Sequence, residues 1–577
     1  MFFLRKIALS TLALVVPIIT YSYAAEDALK SKMYGDLDFI KNTFKIQYTP
    51  LEWKATYSGW DLDVEVDRAK SAIALKKNIT VKDFQKILKN FLNSTNDYHV
   101  SVRFYSTESS TLPLKIKGAE GRYFITHVEQ SRLSPVMYPI KEGDELISYN
   151  GLPIAAAVRE FKEQEIGGTN EYTAQAMAEV YFTNRVGAEG HSVPRGPAMI
   201  SVKSKDTGKV QAYQIMWNYT PEKIKSPFQK NLVTASLSRA EVLKEKGHLN
   251  GPLKEHPLFK KLMLSAHFLN FKSQSPGDLG ARRSFVPTLG EKIWESDCFS
   301  PYYAYLFETV NGKKIGYLRL PHFVNFEGNL EHFKSIIGFF ESSSDALVID
   351  QVDNPGGSLF YLYALVSLLT EQPVFAPRHI ISLTQKEIAY AVDVLPLLET
   401  IRTDADAQVV IGGAMEGNKV TFQTAQFFLN YLQFLLEEWN QGKITTAPTY
   451  LWGIDYIPPN PEVHYTKPIL LLINNLDFSG GDFFPAILQD NKRATLFGSQ
   501  TAGAGGYVLT AAFPNLFGIE SFNYTASLAQ RHNNQVIENL GVKPDVSYEI
   551  TVDDLQNNYR GYAEKVLMTL ETMLLNN

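Results

Sequence analysis

Ser479 ends the apolar stretch KPILLLINNLDF and is followed at once by Gly480–Gly481. Glycines there let backbone come close to a bound group without side-chain obstruction. A helix opening at this serine supplies unpaired N–H groups and a favourable dipole for developing negative charge. That is the setting of a nucleophilic hydroxyl in acyl transfer. Serine is also a common helix N-cap, and Asp482 three residues on makes a partial capping box. Local sequence supports both readings. A second turn, Asn354–Pro355–Gly356–Gly357, follows the apolar run DALVIDQVD. It can present another backbone donor, and two donors about 3 Å from a tetrahedral oxygen make an oxyanion hole. A serine nucleophile also needs a neutral imidazole to take its proton. Among the 11 histidines, His99 follows a turn and lies on the polar side of a short alternating segment. His322, His464 and His532 have no HExxH or carboxylate spacing around them, so metalloprotease chemistry is not expected and no metal or cofactor is required.

The elements that must carry these residues follow from periodicity. Val81–Asn93 places Phe84, Ile87, Leu88, Phe91 and Leu92 on one helical face, and residues 26–105 read as mostly helical. YHVSVRFY, Tyr98–Tyr105, alternates as a strand. Residues 110–215 read as short strands between Gly, Asn and Asp turns. Asn270–Lys292 is rich in Gly, Pro, Ser and charge and is expected to be a long exposed loop, open to proteolysis near Arg282 and Arg283. From about 312 the pattern becomes α/β, with helices at Glu327–Glu341, Leu359–Leu369 and Gln423–Trp439. Buried strands are expected within Asp345–Ser358 and at Ile469–Ile473. Such strands alternating with helices indicate a mainly parallel sheet, whose functional residues collect at strand C-terminal ends.

SGGD around Ser479, the VIDQVDNPGG stretch, the segment GDELISYNG and the upstream DYH together resemble the S41 family of serine proteases, the tail-specific and tricorn-type group. The likeness is greatest to the branch typified by the chlamydial protease-like activity factor. It implies an α/β catalytic domain of the S41/ClpP-crotonase-like type, a small PDZ-like β domain and a mostly helical N-terminal region. Assigned along the chain, these are a signal peptide at 1–25, the helical region at 26–105 and the PDZ-like domain at 106–218. A linker or processed segment at 219–311 and the catalytic domain at 312–577 complete it. By the same resemblance Ser479 is the nucleophile, His99 the general base and Glu538 the carboxylate, with Gly480, Gly357 and Gly356 as the oxyanion elements. Gln535 and Asp545 are nearby alternatives to Glu538. Tail-specific members use a lysine roughly 25 residues past the serine, where this chain has TAGAGG, so the Ser-His-Glu arrangement is the one to expect. The resemblance also implies a homodimer that matures by cutting itself, and protein or peptide substrates.

Composition limits the other classes. The chain has 577 residues and a formal charge of −5, with 45% hydrophobic and 20% charged residues. That suits a multidomain globular protein and not a nucleic-acid binder, whose footprint would be basic. Cys298 is the only cysteine, which excludes an intramolecular disulfide and a multi-cysteine metal site. Met1–Ala25 has the charge, apolar run and small residues of a secretory signal, cut near Ala24 or Ala25. Its loss moves the formal charge from −5 to −7 and leaves no expected membrane anchor. Export to the periplasm or beyond, including delivery to a host cell, is the corresponding location. Two other readings are a non-catalytic PDZ-like peptide-binding scaffold and an esterase-like hydrolase. The lack of a GxSxG elbow weighs against the latter.

Overall fold

A computed structural model describes residues 26–167, 170–223, 278–326 and 328–576, with Leu253 and His256 between them. The expected signal at 1–25 and much of the expected linker lie outside the described residues.

The helical N-terminal region is built as its periodicity suggests. Thr80 and Asp83 form a capping box that starts the helix Val81–Asn93, whose Phe84, Leu88, Phe91 and Leu92 are buried. They pack with Met33, Leu37, Ile40 and Phe44 from the first helix, 26–47. The same core takes in Phe517, Ile519, Phe522 and Tyr524 from the far end of the chain. The strand Ser101–Phe104 pairs antiparallel with Ile519–Thr525, which pairs in turn with Val508–Ala511. Shared apolar burial, about 1.5–3 kcal/mol for each large side chain, therefore fastens the DYH turn to the C-terminal half.

Residues 114–216 contain a six-stranded antiparallel sheet, as the alternation indicates. Two helices, Ile154–Glu165 and Glu171–Phe182, were not expected among its strands. Their apolar residues follow helical spacing, with Ile154, Ala157, Val158 and Phe161 buried in the first.

The central sheet has seven strands, in the order Lys292–Glu295, Ala304–Glu308, Lys314–Arg319, Ala346–Asp350, Ile469–Ile473, Thr495–Gly498 and Val546–Ser547. The first two joints are antiparallel and the remaining four parallel. Leu347, Ile349, Leu471 and Ile473 enter the core on one face, and Val348, Leu470 and Leu472 the core on the other. Burial on both faces explains the unbroken apolar runs. The strand expected within Asp345–Ser358 ends at Asp350, because the residues after it form a turn with Asp353 at φ 59°.

The described part of the 270–292 tract differs from the exposed loop expected. Gly280 N–H donates to the Asp353 carbonyl at 2.9 Å, and Arg319 donates to the Ala281 carbonyl at 3.2 Å. Ser284 donates to the buried Asp350, and Phe285 lies against Tyr559 and Tyr562. Isolated apolar anchors and backbone bonds hold this polar sequence on the sheet. Arg282 is bonded to the Ser300 carbonyl, while Arg283 is exposed. Among the described residues no helix is long and apolar enough to cross a membrane.

Candidate active site

The turns after two adjacent parallel strands are tied together by side chains that accept backbone N–H groups. Asp477, fully buried, accepts from Asn354 N–H at 2.9 Å and from Asn474 N–H at 2.9 Å. Phe478 N–H donates to the Asn354 carbonyl at 2.9 Å. Asn474 accepts from Asp353 N–H and donates to the Asp353 carboxylate, at 2.9 and 2.8 Å. These bonds account for the polar residues DN and NNLD after each apolar strand: they satisfy backbone groups that the turns would otherwise bury unpaired.

Ser479 sits where the second turn enters the helix Gly480–Asp490, with φ 56° and ψ −109°. That backbone region costs a non-glycine residue roughly 1–3 kcal/mol and is occupied mainly where surrounding structure enforces it at functional sites. Ser479 N–H donates to Asp482 at 2.9 Å, and Asp482 N–H donates to the Ser479 carbonyl at 2.8 Å. The helix's first turn thus bonds the Ser479 backbone, and the half-buried hydroxyl is not needed for that bond. Asp482 also accepts from Thr501 Oγ1 at 2.5 Å and from the N–H groups of Gly503 and Ala504, each at 2.9 Å. Burial pushes its carboxyl up to about 6 against the pull of these donors. Asp482 therefore fixes the Ser479 turn to the TAGAGG loop.

Gly356 and Gly357 lie directly against this turn. A Cβ placed on Gly356 would stand 2.5 Å from the Phe478 carbonyl, 2.8 Å from Gly480 N and 2.9 Å from Ser479 Cβ. A Cβ on Gly480 would be 3.3 Å from Gly357 N. The amides of Gly480 and Gly357 are thus close neighbours beside the serine, and Gly480 N–H begins a helix, without an intrahelical acceptor. Gly356→Ala, at φ 90°, should displace the serine turn and lower kcat on the order of 100-fold; steady-state kinetics on the folded variant checks this.

His99 is 2% exposed and precedes the strand Ser101–Phe104, rather than lying on its open face. Its backbone N–H donates to Asp97 at 2.8 Å, and Asp97 also accepts from Tyr48 at 2.9 Å and Thr525 at 2.7 Å. The neighbouring Tyr98 ring meets the Phe478 ring edge-on at 5.6 Å, so the DYH turn abuts the residue before Ser479. Burial lowers the imidazole to about 4; Asp97 opposes this and Lys54 reinforces it.

Glu538 is fully buried, accepting Gly505 N–H at 2.9 Å and pairing with Lys54 at 2.5 Å. Burial, then Asp97, holds its carboxyl above the usual range, while Lys54 and the Gly505 N–H act the other way. Lys54 donates as well to the Asn96 carbonyl at 2.9 Å and to Asn539 at 2.8 Å. Asn539 donates to the same Asn96 carbonyl at 2.7 Å. Lys54 thereby ties Glu538 to the turn bearing His99. Sequence reasoning did not find this role for Lys54, since nothing in LEWKATYS marks the lysine as buried. Of the alternatives to Glu538, Asp545 is engaged with Leu496 N–H and Gln489, at 2.8 and 2.7 Å. Gln535 belongs to the turn closed by Arg531 N–H on its carbonyl.

A strained serine at a helix start, two glycine amides beside it and a buried histidine turn packed against the same loop are parts that a serine peptidase uses. A family model described as peptidase family S41 matches residues 314–548, and one described as a PDZ domain matches residues 108–224. An uncharacterized protein of Chlamydia muridarum is 34% identical, covering 97% of this chain and 95% of its own length. A Chlamydia pneumoniae protein is 35% identical, covering 96% of this chain and 92% of its own length. Mature CPAF, solved in complex with lactacystin, matches with a TM-score of 0.80 at 31% identity, covering 95% of this chain and all of that one. The chain belongs to peptidase family S41 and is a serine-type peptidase with a PDZ domain and a helical N-terminal region. Within that family its architecture is similar to that of mature CPAF.

Proposed function

We propose that the protein is a secreted serine endopeptidase acting on protein or peptide substrates through Ser479, His99 and Glu538. The observation that carries this reading is the strained Ser479 turn, held against the Gly356–Gly357 turn and the DYH turn at once. His99 takes the Ser479 proton as the hydroxyl oxygen attacks the peptide carbonyl carbon. The Gly480 and Gly357 amides hold the resulting oxyanion, helped by the positive end of the helix. His99 then protonates the leaving amine as the C–N bond breaks. Water, deprotonated by His99, hydrolyses the acyl-enzyme and frees Ser479. Glu538 acts as the carboxylate that supports the imidazolium, and Lys54 positions it.

A lowered His99 has a defined consequence. The neutral, proton-accepting imidazole persists below its ordinary 6.5, so the acid limb of kcat/KM should fall near about 4. The same shift makes the unfolded chain bind a proton first. Stability should therefore decline as pH falls from 6.5 towards about 4, and a kcat/KM profile run beside a denaturation series reads both. The class of reaction is tested by incubating processed protein with casein and with a simple ester, each with and without prior fluorophosphonate treatment. Casein cleavage blocked by the reagent supports the endopeptidase. Ester hydrolysis alone supports an esterase, and neither activity supports a PDZ-type binding scaffold. Export and self-processing into a homodimer, implied by the family resemblance, complete the proposal. Mass analysis of exported protein should find a new N-terminus near Ala24 or Ala25.

A further inference from the structure

A cavity of about 100 Å³ opens beside Ser479, Gly480 and Gly357. Its walls are mainly apolar: Leu383, Tyr431, Leu451 and Trp452 belong to the helical cluster around Gln385–Leu398 and Phe422–Asn440. One wall residue is polar and fully buried, His379 on the strand Arg378–Ile381, with its ring 5.6 Å from that of Phe483. Its Nδ1 lies 3.0 Å from Ser527 Oγ, and its Nε2 has no hydrogen-bond partner among the described residues. The tautomer follows from Ser527. That hydroxyl oxygen accepts Tyr507 N–H at 3.0 Å, and among the described residues its own proton finds an acceptor only in His379 Nδ1. Nδ1 is then the acceptor, and Nε2 carries the ring proton. Burial lowers this imidazole to about 3, which keeps it neutral. A buried N–H donor left without an acceptor in an apolar wall is a standing cost that a ligand atom can remove.

We propose that this cavity receives the side chain of the substrate residue on the acyl side of the scissile bond. In it, His379 selects a neutral, largely apolar side chain ending in a hydrogen-bond acceptor, such as tyrosine or methionine. The inference rests on the peptidase reading. The carbonyl attacked by Ser479 and held by the two glycine amides belongs to that residue. Its side chain leaves the adjoining carbon and is the one that can enter a cavity sharing those three groups as a wall. Apolar walls, a neutral imidazole and Glu387 disfavour a carboxylate, while an ammonium group would have to leave water for apolar walls with that one half-buried carboxylate to meet it. Asparagine and glutamine bring two extra donors that need acceptors, and serine and threonine are too short to fill the space.

The test uses the full processed enzyme and fluorogenic peptides identical except at the acyl-side residue. Tyrosine should exceed phenylalanine in kcat/KM on the order of tenfold, and methionine should exceed norleucine by a smaller factor. In His379→Phe the tyrosine-to-phenylalanine ratio should fall to about one while the phenylalanine peptide is still cut. His379→Gln, which keeps an N–H donor, should retain the preference. A ratio within one enzyme does not depend on how much of a variant folds, and the wild-type ratios decide alone if neither variant can be made. Equal rates within both peptide pairs overturn the proposal. So does a preference for lysine or arginine, which would give the selecting role to Glu387 on the same wall. Failure to cut any peptide, together with no fluorophosphonate labelling, removes the peptidase reading itself and this inference with it.

Discussion

Ser479→Ala should lower kcat by about 10⁶-fold, to background, with folding stability nearly unchanged. The two parts of that expectation separate the two roles open to this residue. A serine acting mainly as an N-cap loses about 1 kcal/mol on replacement by alanine. Here Asp482 N–H bonds the Ser479 carbonyl as well as facing the hydroxyl in a capping box, and the Ser479 N–H is taken by Asp482, so two bonds of the helix start survive loss of the hydroxyl. Ser479→Gly goes further, because glycine accepts a φ of 56° without a Cβ penalty. It should be as inactive as the alanine variant. Yet it should be about 1 kcal/mol more stable than wild type, the relieved strain exceeding glycine's greater entropy in the unfolded chain. Denaturant titration of both variants, beside steady-state assays, checks this. The same alanine variant tests self-processing: it should remain intact where wild type fragments, and identical fragmentation would assign the cuts to another protease.

Lys54→Met should destabilise the protein by about 3–5 kcal/mol, since it leaves the Glu538 carboxylate buried without its cation. It should reduce kcat as well, because Lys54 holds the Asn96 carbonyl three residues before His99. Glu538→Gln is the more informative partner. From sequence alone this change is expected to affect turnover with little effect on folding, but the ion pair alters that expectation. Glutamine still accepts Gly505 N–H, but leaves an unpaired ammonium in a site only 1% exposed on the lysine side. It should lose stability in addition to a fall in kcat of about 10²–10⁴-fold. The double variant Lys54→Met/Glu538→Gln should be more stable than the sum of the single losses by about 0.5–3 kcal/mol. Its kcat should not recover, because the carboxylate is still missing. Additive stability losses would show that the pair is not energetically coupled.

The parts of this molecule that read well from its sequence are those whose burial leaves a period. Ile469–Ile473 has all five residues buried, and the strand was legible to the residue. Phe422–Asn440 and Val81–Asn93 were legible because one face of each is apolar at helical spacing. Ser479 stood out because it ends a buried apolar run and is followed at once by Gly-Gly, a position that suits a helix N-cap as well as a nucleophile. The remainder depends on contacts that sequence spacing does not encode. Lys54 and Glu538 are 484 positions apart, and each alone looks like an ordinary solvated charge. His99 was placed on an open strand face because alternation describes Val100, Val102 and Phe104 well. The turn before them is buried by groups from distant parts of the chain: Tyr48 and Lys54 upstream, and Phe478, Thr525 and Asn539 downstream. The 278–292 tract read as a loop because its anchors, Ala281, Phe285 and Leu289, are single residues among polar ones.

The most direct measurement is the rate and position of fluorophosphonate attachment in wild type and in His99→Ala, read by peptide mass spectrometry. Wild type should carry the adduct on the peptide containing Ser479, and His99→Ala should be modified there at least 100-fold more slowly, as expected for loss of a general base. An adduct on another serine, or equal rates in the two proteins, would contradict a hydroxyl activated by an imidazole held 380 positions earlier in the chain.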